Sequence, residues 1–334
     1  MSAIRLGTRA STLATTQSEM VARLLRSEGL DVDLTTITTH GDTSTASLAA
    51  MGGIGVFASA IRAALLEGEA DIAVHSFKDL PTGRPLGLAI GAVPARADPR
   101  DALVARDGLT LHDLPQEASV GTGSPRRAAQ LLAVRPDLTI VDIRGNVDTR
   151  LGRVKGLGRY AKNGGKEDLD AVVLAASGLA RLGHSGAVTE FLDPSVVLPA
   201  PAQGALAVEC RTADSRHGKL AKALARIDDR RTRLAATAER AVLSHLEAGC
   251  AAPIGALAQL KPVSGSSPQV LTLDVVVATV DGSRIIREQV SVELPAEVDS
   301  ALAAAHTLGV TAAEELLDDG AADVADLKAS GSTR

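Results

Sequence analysis

Short apolar runs alternate with stretches of helical periodicity through the first two thirds of the chain, which is the pattern of α/β construction. The apolar runs predict strands at Ile4–Leu6, Asp33–Thr38, Ile72–Val74, Leu88–Val93, Ala118–Gly121, Ile140–Ile143, Ala171–Ala175 and Ala205–Glu209. Amphipathic spacing predicts helices over Thr12–Glu28, Ala58–Glu67, Pro125–Val134 and Val147–Leu157. Pro94–Pro99 and Leu198-Pro199-Ala200-Pro201 read as breaks between folding units. From about Arg226 the pattern changes. A helix over Arg233–Leu246, within the amphipathic stretch Arg230–Glu247, stops at Gly249. Strands follow near Ile254–Leu260, Val270–Val280 and Ile285–Val292, with Asp281-Gly282 as a hairpin signal, and a helix covers Ala301–Leu317. That is an α+β module distinct from what precedes it. The tail Lys328–Arg334 is expected to fray.

Composition narrows the function classes. At about 150 residues per domain, 334 residues suggest two or three domains with real cores. Lys and Arg number 35 against 40 Asp and Glu, a formal charge of −5, so a broad phosphate-backbone binder is disfavoured. Aromatics make up 1% (three Phe, one Tyr, no Trp), too few to stack nucleic-acid bases. Two cysteines exclude a disulfide scaffold, and no His/Cys cluster has metal-ligand spacing. The N-terminus shows no basic region leading into a long apolar one, and no run approaches a membrane span, so a cytoplasmic protein is the default expectation.

In open α/β sheets, ligands bind beyond the C-terminal ends of the strands, so the residues just past each predicted strand are informative. They are Gly7-Thr8-Arg9-Ala10-Ser11, His75-Ser76-Phe77-Lys78-Asp79, Thr122-Gly123-Ser124-Pro125-Arg126-Arg127, Arg144-Gly145-Asn146 with Arg150, and Ser177-Gly178 with Arg181. Each carries a cation. Any one arginine is most simply a solvated surface residue. Recurrence at equivalent topological positions instead points to a small polyanion with several carboxylates, held by guanidinium forks. Ser11 and Ser124 are placed to cap the following helices, and Pro125 suits a first helical turn.

Asp79 beside Lys78 is open to two readings. It could form an ion pair or turn leading into Pro81, or it could face a substrate nitrogen, kept ionised by the surrounding cations. Cys250, on the loop after Gly249, is by default a buried inert thiol, though a loop thiol can also serve as a nucleophile or attachment point. Cys210, at the end of an apolar run, reads as core.

The ordered set of motifs resembles the porphobilinogen deaminase (hydroxymethylbilane synthase) family. It comprises Gly7–Ser11, Ala70–Pro81, Asp98–Ala102, Val120–Arg127, Arg144–Arg150, Gly178–Gly183, Gln203–Ala205, Glu209–Arg211, Ala238–Ala241 and Gly249–Gly255. The resemblance implies two periplasmic-binding-protein-like (type II) α/β domains, residues 1–97 with 200–222 and residues 98–199, with the active site between them. A C-terminal α+β domain, 223–334, would carry a dipyrromethane cofactor on Cys250 through a thioether. The implied reaction joins four porphobilinogens head-to-tail with loss of ammonia, then releases linear hydroxymethylbilane by hydrolysis. Carried over position by position, Asp79 is catalytic, stabilising a cationic azafulvene-like intermediate. Lys78, Thr122, Ser124, Arg126, Arg127, Arg144, Asn146 and Gln203 would bind cofactor. Arg9, Ser11, Phe57, Arg150 and Arg181 would bind substrate. The expected partner is the small-molecule substrate, with no nucleic acid or membrane; the protein is expected to be a monomer, with hand-over to the next pathway enzyme as the one protein contact suggested.

The chain departs from that family in the glycine-rich segment Thr39–Val56, which resembles a mobile lid. Ala50, Ile54 and nearby Ser59 stand where relatives often have lysine. Thr12 replaces a frequent proline, and Leu157–Asp168, rich in Gly and Lys, reads as a disordered surface loop. A non-catalytic solute-binding protein of the same two-lobed architecture has no use for the third module. A phosphate-binding regulator leaves Asp79 and Cys250 unexplained.

Overall fold

Two five-stranded mixed sheets share one plan. The computed structural model describes residues 3–37, 56–83, 85–249, 252–261 and 269–325. The segment 39–55 with Ala50 and Ile54, the residue Cys250 and the tail from 328 lie outside the described residues, as does the side chain of Phe57. In the first sheet, β1 (Ile4–Thr8) runs parallel to β2 (Val32–Thr36) and β3 (Ile72–Ser76), with Leu6 opposite Leu34 and Ile72. β4 (Leu88–Ala92) forms the far edge. The second sheet starts with β5 (Asp101–Ala105), and its parallel part is β6 (Ser119–Gly121), β7 (Thr139–Val141) and β8 (Ala171–Ala175). The short β9 (Glu190–Phe191) closes its edge.

Each sheet is completed by one antiparallel strand that arrives directly from the other. β5 enters the second sheet antiparallel to β8 and β9. The return strand β10 (Leu206–Arg211) enters the first, antiparallel to β3 and β4. The chain therefore crosses twice between the α/β units, the type II arrangement. The two crossings are bonded to each other: Arg96 Nε donates to the Gln203 carbonyl at 2.7 Å, and Gln203 Nε2 donates to that of Pro99 at 2.8 Å. Gly204, with φ +87°, makes the return crossing possible, since a Cβ there would lie 2.5 Å from the Ala97 carbonyl oxygen.

Helices cover the first two sheets, so strands such as β5, buried at every position, are continuous apolar runs. The helix α1 (Thr12–Ser27) packs Val21, Ala22 and Leu25 on the first sheet, and Ser11 Oγ accepts from Ala14 N–H as its cap. The chain continues through α2 (Val56–Leu66), α3 (Pro125–Val134), α4 (Val147–Leu151), α5 (Ala176–Arg181) and α6 (Gly218–Ile227). Helix α6 straddles the expected boundary at residue 223. Its Ala223 and Leu224 belong to the core of the first sheet.

The C-terminal unit pairs the antiparallel strands β11 (Ile254–Leu260), β12 (Val270–Ala278) and β13 (Ile285–Glu293) with α7 (Arg230–His245) and α8 (Val298–Asp318), followed by the short α9 (Ala321–Val324). Leu271, Leu273, Val275 and Val277 face the helices, whereas Val276 packs with Leu198 on the return crossing. Glu239 of α7 is fully buried. It accepts from Arg96 at 2.6 and 2.9 Å, from Ala202 N–H at 2.5 Å and from Ala258 N–H at 2.8 Å, tying both crossings to β11.

Three expectations are corrected. The helix from Val147 ends at Leu151 rather than Leu157, because Gly152 terminates it and the buried Val154 then bridges Leu169. The stretch Leu157–Asp168 is folded, not disordered: Glu167 accepts from the N–H groups of Gly156 and Gly158, Arg153 pairs with Asp168, and the Tyr160 ring meets His184 edge-on. Ser124 occupies the N-cap position of α3, but its side chain makes no capping bond. Instead the Ser124 N–H donates to Thr122 Oγ1 at 3.2 Å.

Candidate active site

The parallel strands of both sheets end toward the crossings, and the sequence places a polar loop at each end. After β3 the chain enters a tight turn, Phe77–Asp79, that leaves Asp79 exposed and directs Lys78 toward Gln203 on the return crossing, Nζ to Oε1 at 3.2 Å. After β6, Gly123 lets the loop approach the end of β7, where a Cβ would lie 2.7 Å from the Ile143 carbonyl oxygen. That loop delivers Pro125 into the first turn of α3, with Arg126 and Arg127 buried behind it. After β7, Asn146 caps α4 by accepting from Thr149 N–H at 2.8 Å, and Arg150 Nε returns to the Gly145 carbonyl at 2.9 Å. After β8, Arg181 on α5 donates to the Gly204 carbonyl at 2.7 Å, linking the second unit to the return crossing.

The floor of this region is a charge network that sequence reasoning missed. Asp101, the first residue of β5, is fully buried. It accepts from Arg127 Nε and Nη2 at 2.9 and 2.7 Å and from Gln203 Nε2 at 2.8 Å, and it pairs with Arg126 Nη1 at 2.8 Å. Burial alone would raise its carboxyl pKa, but the flanking guanidiniums outweigh that and hold it well below the usual carboxylate range. Burial pushes the Lys78 ammonium down to about 8 and Arg181 down to about 10, and it also lowers Arg126 and Arg150. One carboxylate thus serves several enclosed cations, which leaves the region electropositive. In the sequence Asp101 stood only as an acidic residue opening an apolar run within the Asp98–Ala102 motif, with no sign that it would be buried on paired arginines.

Two cavities meet at Lys78, Asp79 and Arg127. The larger, about 600 Å³, is lined also by Arg9, Ser11, Asn146, Arg150 and Arg181. The smaller, about 180 Å³, is lined by Ser124, Arg126, Gln203 and Gly249, the residue before Cys250. The geometry therefore brings together eleven of the sequence-predicted residues: Arg9, Ser11, Lys78, Asp79, Ser124, Arg126, Arg127, Asn146, Arg150, Arg181 and Gln203. Thr122 and Arg144 are not among the lining residues. Thr122 is buried in its loop, and the Arg144 side chain is 57% exposed with a weak 3.5 Å contact to Asp142. A third cavity, about 840 Å³, lies against the other side of the Phe77–Asp79 turn and contains none of the predicted site residues. Size does not decide function; the convergence of polar groups at strand ends does.

The comparisons agree with this geometry. A family model described as porphobilinogen deaminase, dipyromethane cofactor binding domain, matches residues 4–219, and a second, porphobilinogen deaminase, C-terminal domain, matches residues 233–318. The chain belongs to the porphobilinogen deaminase family. It is 97% identical to a porphobilinogen deaminase of Cutibacterium acnes over 334 residues, covering 100% of both chains. It is 51% identical to that of Micrococcus luteus, covering 96% of this chain and 94% of the relative, and 53% identical to that of Leifsonia xyli subsp. xyli, covering 98% and 95%. The reaction of porphobilinogen deaminases is polymerisation of porphobilinogen to hydroxymethylbilane, a transferase activity that uses dipyrromethane.

The residues present fit that cofactor. Arg126, which lines the small cavity with Gly249, has its Nε buried without a partner among the described residues, leaving a guanidinium donor for a carboxylate. Cys210, by contrast, is fully buried in β10 and its thiol is pushed up to about 11 by burial, so it is a core residue.

Proposed function

We propose that Asp79 is the catalytic residue of this polymerisation and that Cys250 holds dipyrromethane through a thioether. Lys78, Ser124, Arg126, Arg127, Asn146 and Gln203 bind cofactor, with Thr122 shaping their loop and Arg144 meeting carboxylates outside the two cavities. Arg9, Ser11, Phe57, Arg150 and Arg181 bind substrate. The observation that carries this reading is the position of Asp79. It lies on the seam of two cation-lined cavities, one of which ends at Gly249 beside Cys250.

Each incoming porphobilinogen brings an acetate and a propionate, so the arginines orient it through its carboxylates and leave its pyrrole edge toward Asp79. The Asp79 carboxylate holds pyrrole N–H groups and stabilises the positive charge that develops on the substrate as ammonia leaves. Bound dipyrromethane supplies the pyrrole end to which the first substrate is joined. Gln203 holds the Lys78 ammonium in place while its own amide rests on Asp101 and Pro99.

The reading extends to three domains, the α/β units on either side of the crossings and the C-terminal unit. Packing of α6 on the first sheet supports placing the last boundary after Ile227 rather than at 223. It also takes the protein to be a cytoplasmic monomer that hands its product to the next enzyme, which rests on kinship with bacterial porphobilinogen deaminases. Intact-protein mass spectrometry tests the cofactor assignment. The wild-type protein is expected to exceed its sequence mass by two linked pyrrole units, and Cys250→Ala to show no excess. An unmodified yet fully active wild-type protein contradicts the assignment.

A further inference from the structure

The turn that presents Asp79 is short and carries no regular structure beyond one tight helical turn, in which the Leu80 N–H donates to the Phe77 carbonyl at 3.3 Å. An aspartate side chain has two torsions and little reach, so the backbone of this turn decides where its carboxylate lies. That backbone is gripped from another unit. Arg240 of α7 donates from Nη1 to the carbonyls of Phe77 at 2.9 Å and Leu80 at 2.7 Å, and from Nη2 to that of Pro81 at 2.8 Å. Its guanidinium lies over the Phe77 ring, 4.4 Å from the centroid, and that ring is buried. One planar fork thus bonds carbonyls on both sides of Lys78-Asp79 while stacking on the side chain between strand and turn.

We infer that Arg240 is a positioning residue for the reaction, holding the Asp79 turn in register with the loop that carries Cys250. This rests on Asp79 being the catalytic residue. Helix α7 continues from Arg240 to its end at His245, and the chain then passes through Leu246, Glu247 and Ala248 to Gly249, which lines the small cavity with Asp79. Arg240 therefore fixes the turn to the same rigid element that leads to the attachment loop. Lysine cannot replace it, because an ammonium has neither the planar fork needed to span three carbonyls nor the flat face that stacks on Phe77.

The test uses full-length protein, with cofactor content read by intact mass, and the variants Arg240→Lys and Arg240→Gln. Displacing a catalytic group by about 1 Å costs roughly 100-fold in rate, so both variants are expected to lose roughly 10- to 100-fold in kcat. KM and the fraction of cofactor-loaded protein are expected to stay within about twofold of wild type. In an Asp79→Glu background the same Arg240→Lys change is expected to cost less than about threefold, because the carboxylate it served is already displaced. Unchanged kcat with a lowered melting temperature makes Arg240 merely structural and overturns the inference, as does a full additional loss in the Asp79→Glu background. Activity lost only in proportion to cofactor content also overturns it. Should neither variant fold, Phe77→Leu removes the stacking surface alone. A kcat loss of at least about threefold at unchanged KM then supports the inference, and unchanged kcat overturns it. Near-normal turnover in Asp79→Ala defeats the underlying assignment of Asp79, which is a separate outcome from normal turnover in the Arg240 variants.

Discussion

Asp101→Asn is the most informative single change to the charge network. The substitution keeps the size of the side chain and removes its charge, leaving Arg126 and Arg127, both almost fully buried, without the carboxylate that pairs with them. Breaking a buried ion pair from one side typically costs about 3–5 kcal/mol. Asparagine still offers one oxygen to Arg127, which favours the lower half of that range, but it also turns an amide toward Arg126. We expect a loss of about 3–4 kcal/mol at pH 7 in the cofactor-free Cys250→Ala background. The loss should be smaller in cofactor-loaded protein, where carboxylates of the bound group supply replacement anions. The chain has no tryptophan, so urea unfolding is best followed by far-ultraviolet circular dichroism.

The pH dependence of this effect has a defined sign. Asp101 is depressed in the folded state, so its stabilisation is fully present above the unfolded carboxylate value of about 4 and is lost as pH falls toward the folded value. The gap between wild type and Asp101→Asn should therefore be constant from pH 5 to 7 and shrink below about pH 4. A loss under about 1 kcal/mol in the cofactor-free background, or one that grows on acidification, refutes the pairing argument.

Two further predictions follow from neighbouring groups. Lys78 titrates at about 8, so in cofactor-free Cys250→Ala protein the affinity for a small tetracarboxylate should fall as pH rises through about 8. Lys78→Arg should move that fall to higher pH, and a profile identical in both proteins excludes Lys78 as the titrating group. Because its folded value lies below the ordinary lysine value, native Lys78 releases its proton first, and this residue's contribution to stability rises between about pH 8 and 10.5. Gly204→Ala places a Cβ 2.5 Å from the Ala97 carbonyl oxygen at a φ of +87°. The left-handed conformation alone costs about 1–2 kcal/mol, so a fall in melting temperature of roughly 5 °C is expected, and an unchanged melting temperature contradicts the close approach of the two crossings.

How much of this was legible in the sequence depends on what kind of signal each feature leaves. Strands with parallel neighbours, such as Ala171–Ala175, and the helix Pro125–Val134 were bounded correctly because periodicity and a proline in the first helical turn are local properties. β5 was missed because five residues headed by an aspartate look like the end of the Pro94–Pro99 break, and only the tertiary structure shows that the aspartate is buried on paired arginines. The shortened α4 and the ordered Leu157–Asp168 stretch fail for the same reason: Glu167 and Tyr160 are anchored by distant or non-periodic contacts. Strand-end cations were readable because topology places them, whereas Arg144 shows that a strand-end position does not by itself put a side chain in the cavity. Glu239 and Arg240 stood in the sequence only as part of the Ala238–Ala241 motif, with no sign of their roles, since their partners are backbone groups and a crossing far away in sequence.

The central claim is that Asp79 performs chemistry in a cleft whose cations perform binding. Steady-state turnover and equilibrium porphobilinogen binding, measured together on an Asp79→Ala preparation whose mass shows two attached pyrrole units, test it most directly. The account predicts affinity within a few-fold of wild type and turnover reduced by roughly 100- to 1,000-fold, the usual consequence of removing one transition-state electrostatic group. Turnover within about tenfold of wild type contradicts it.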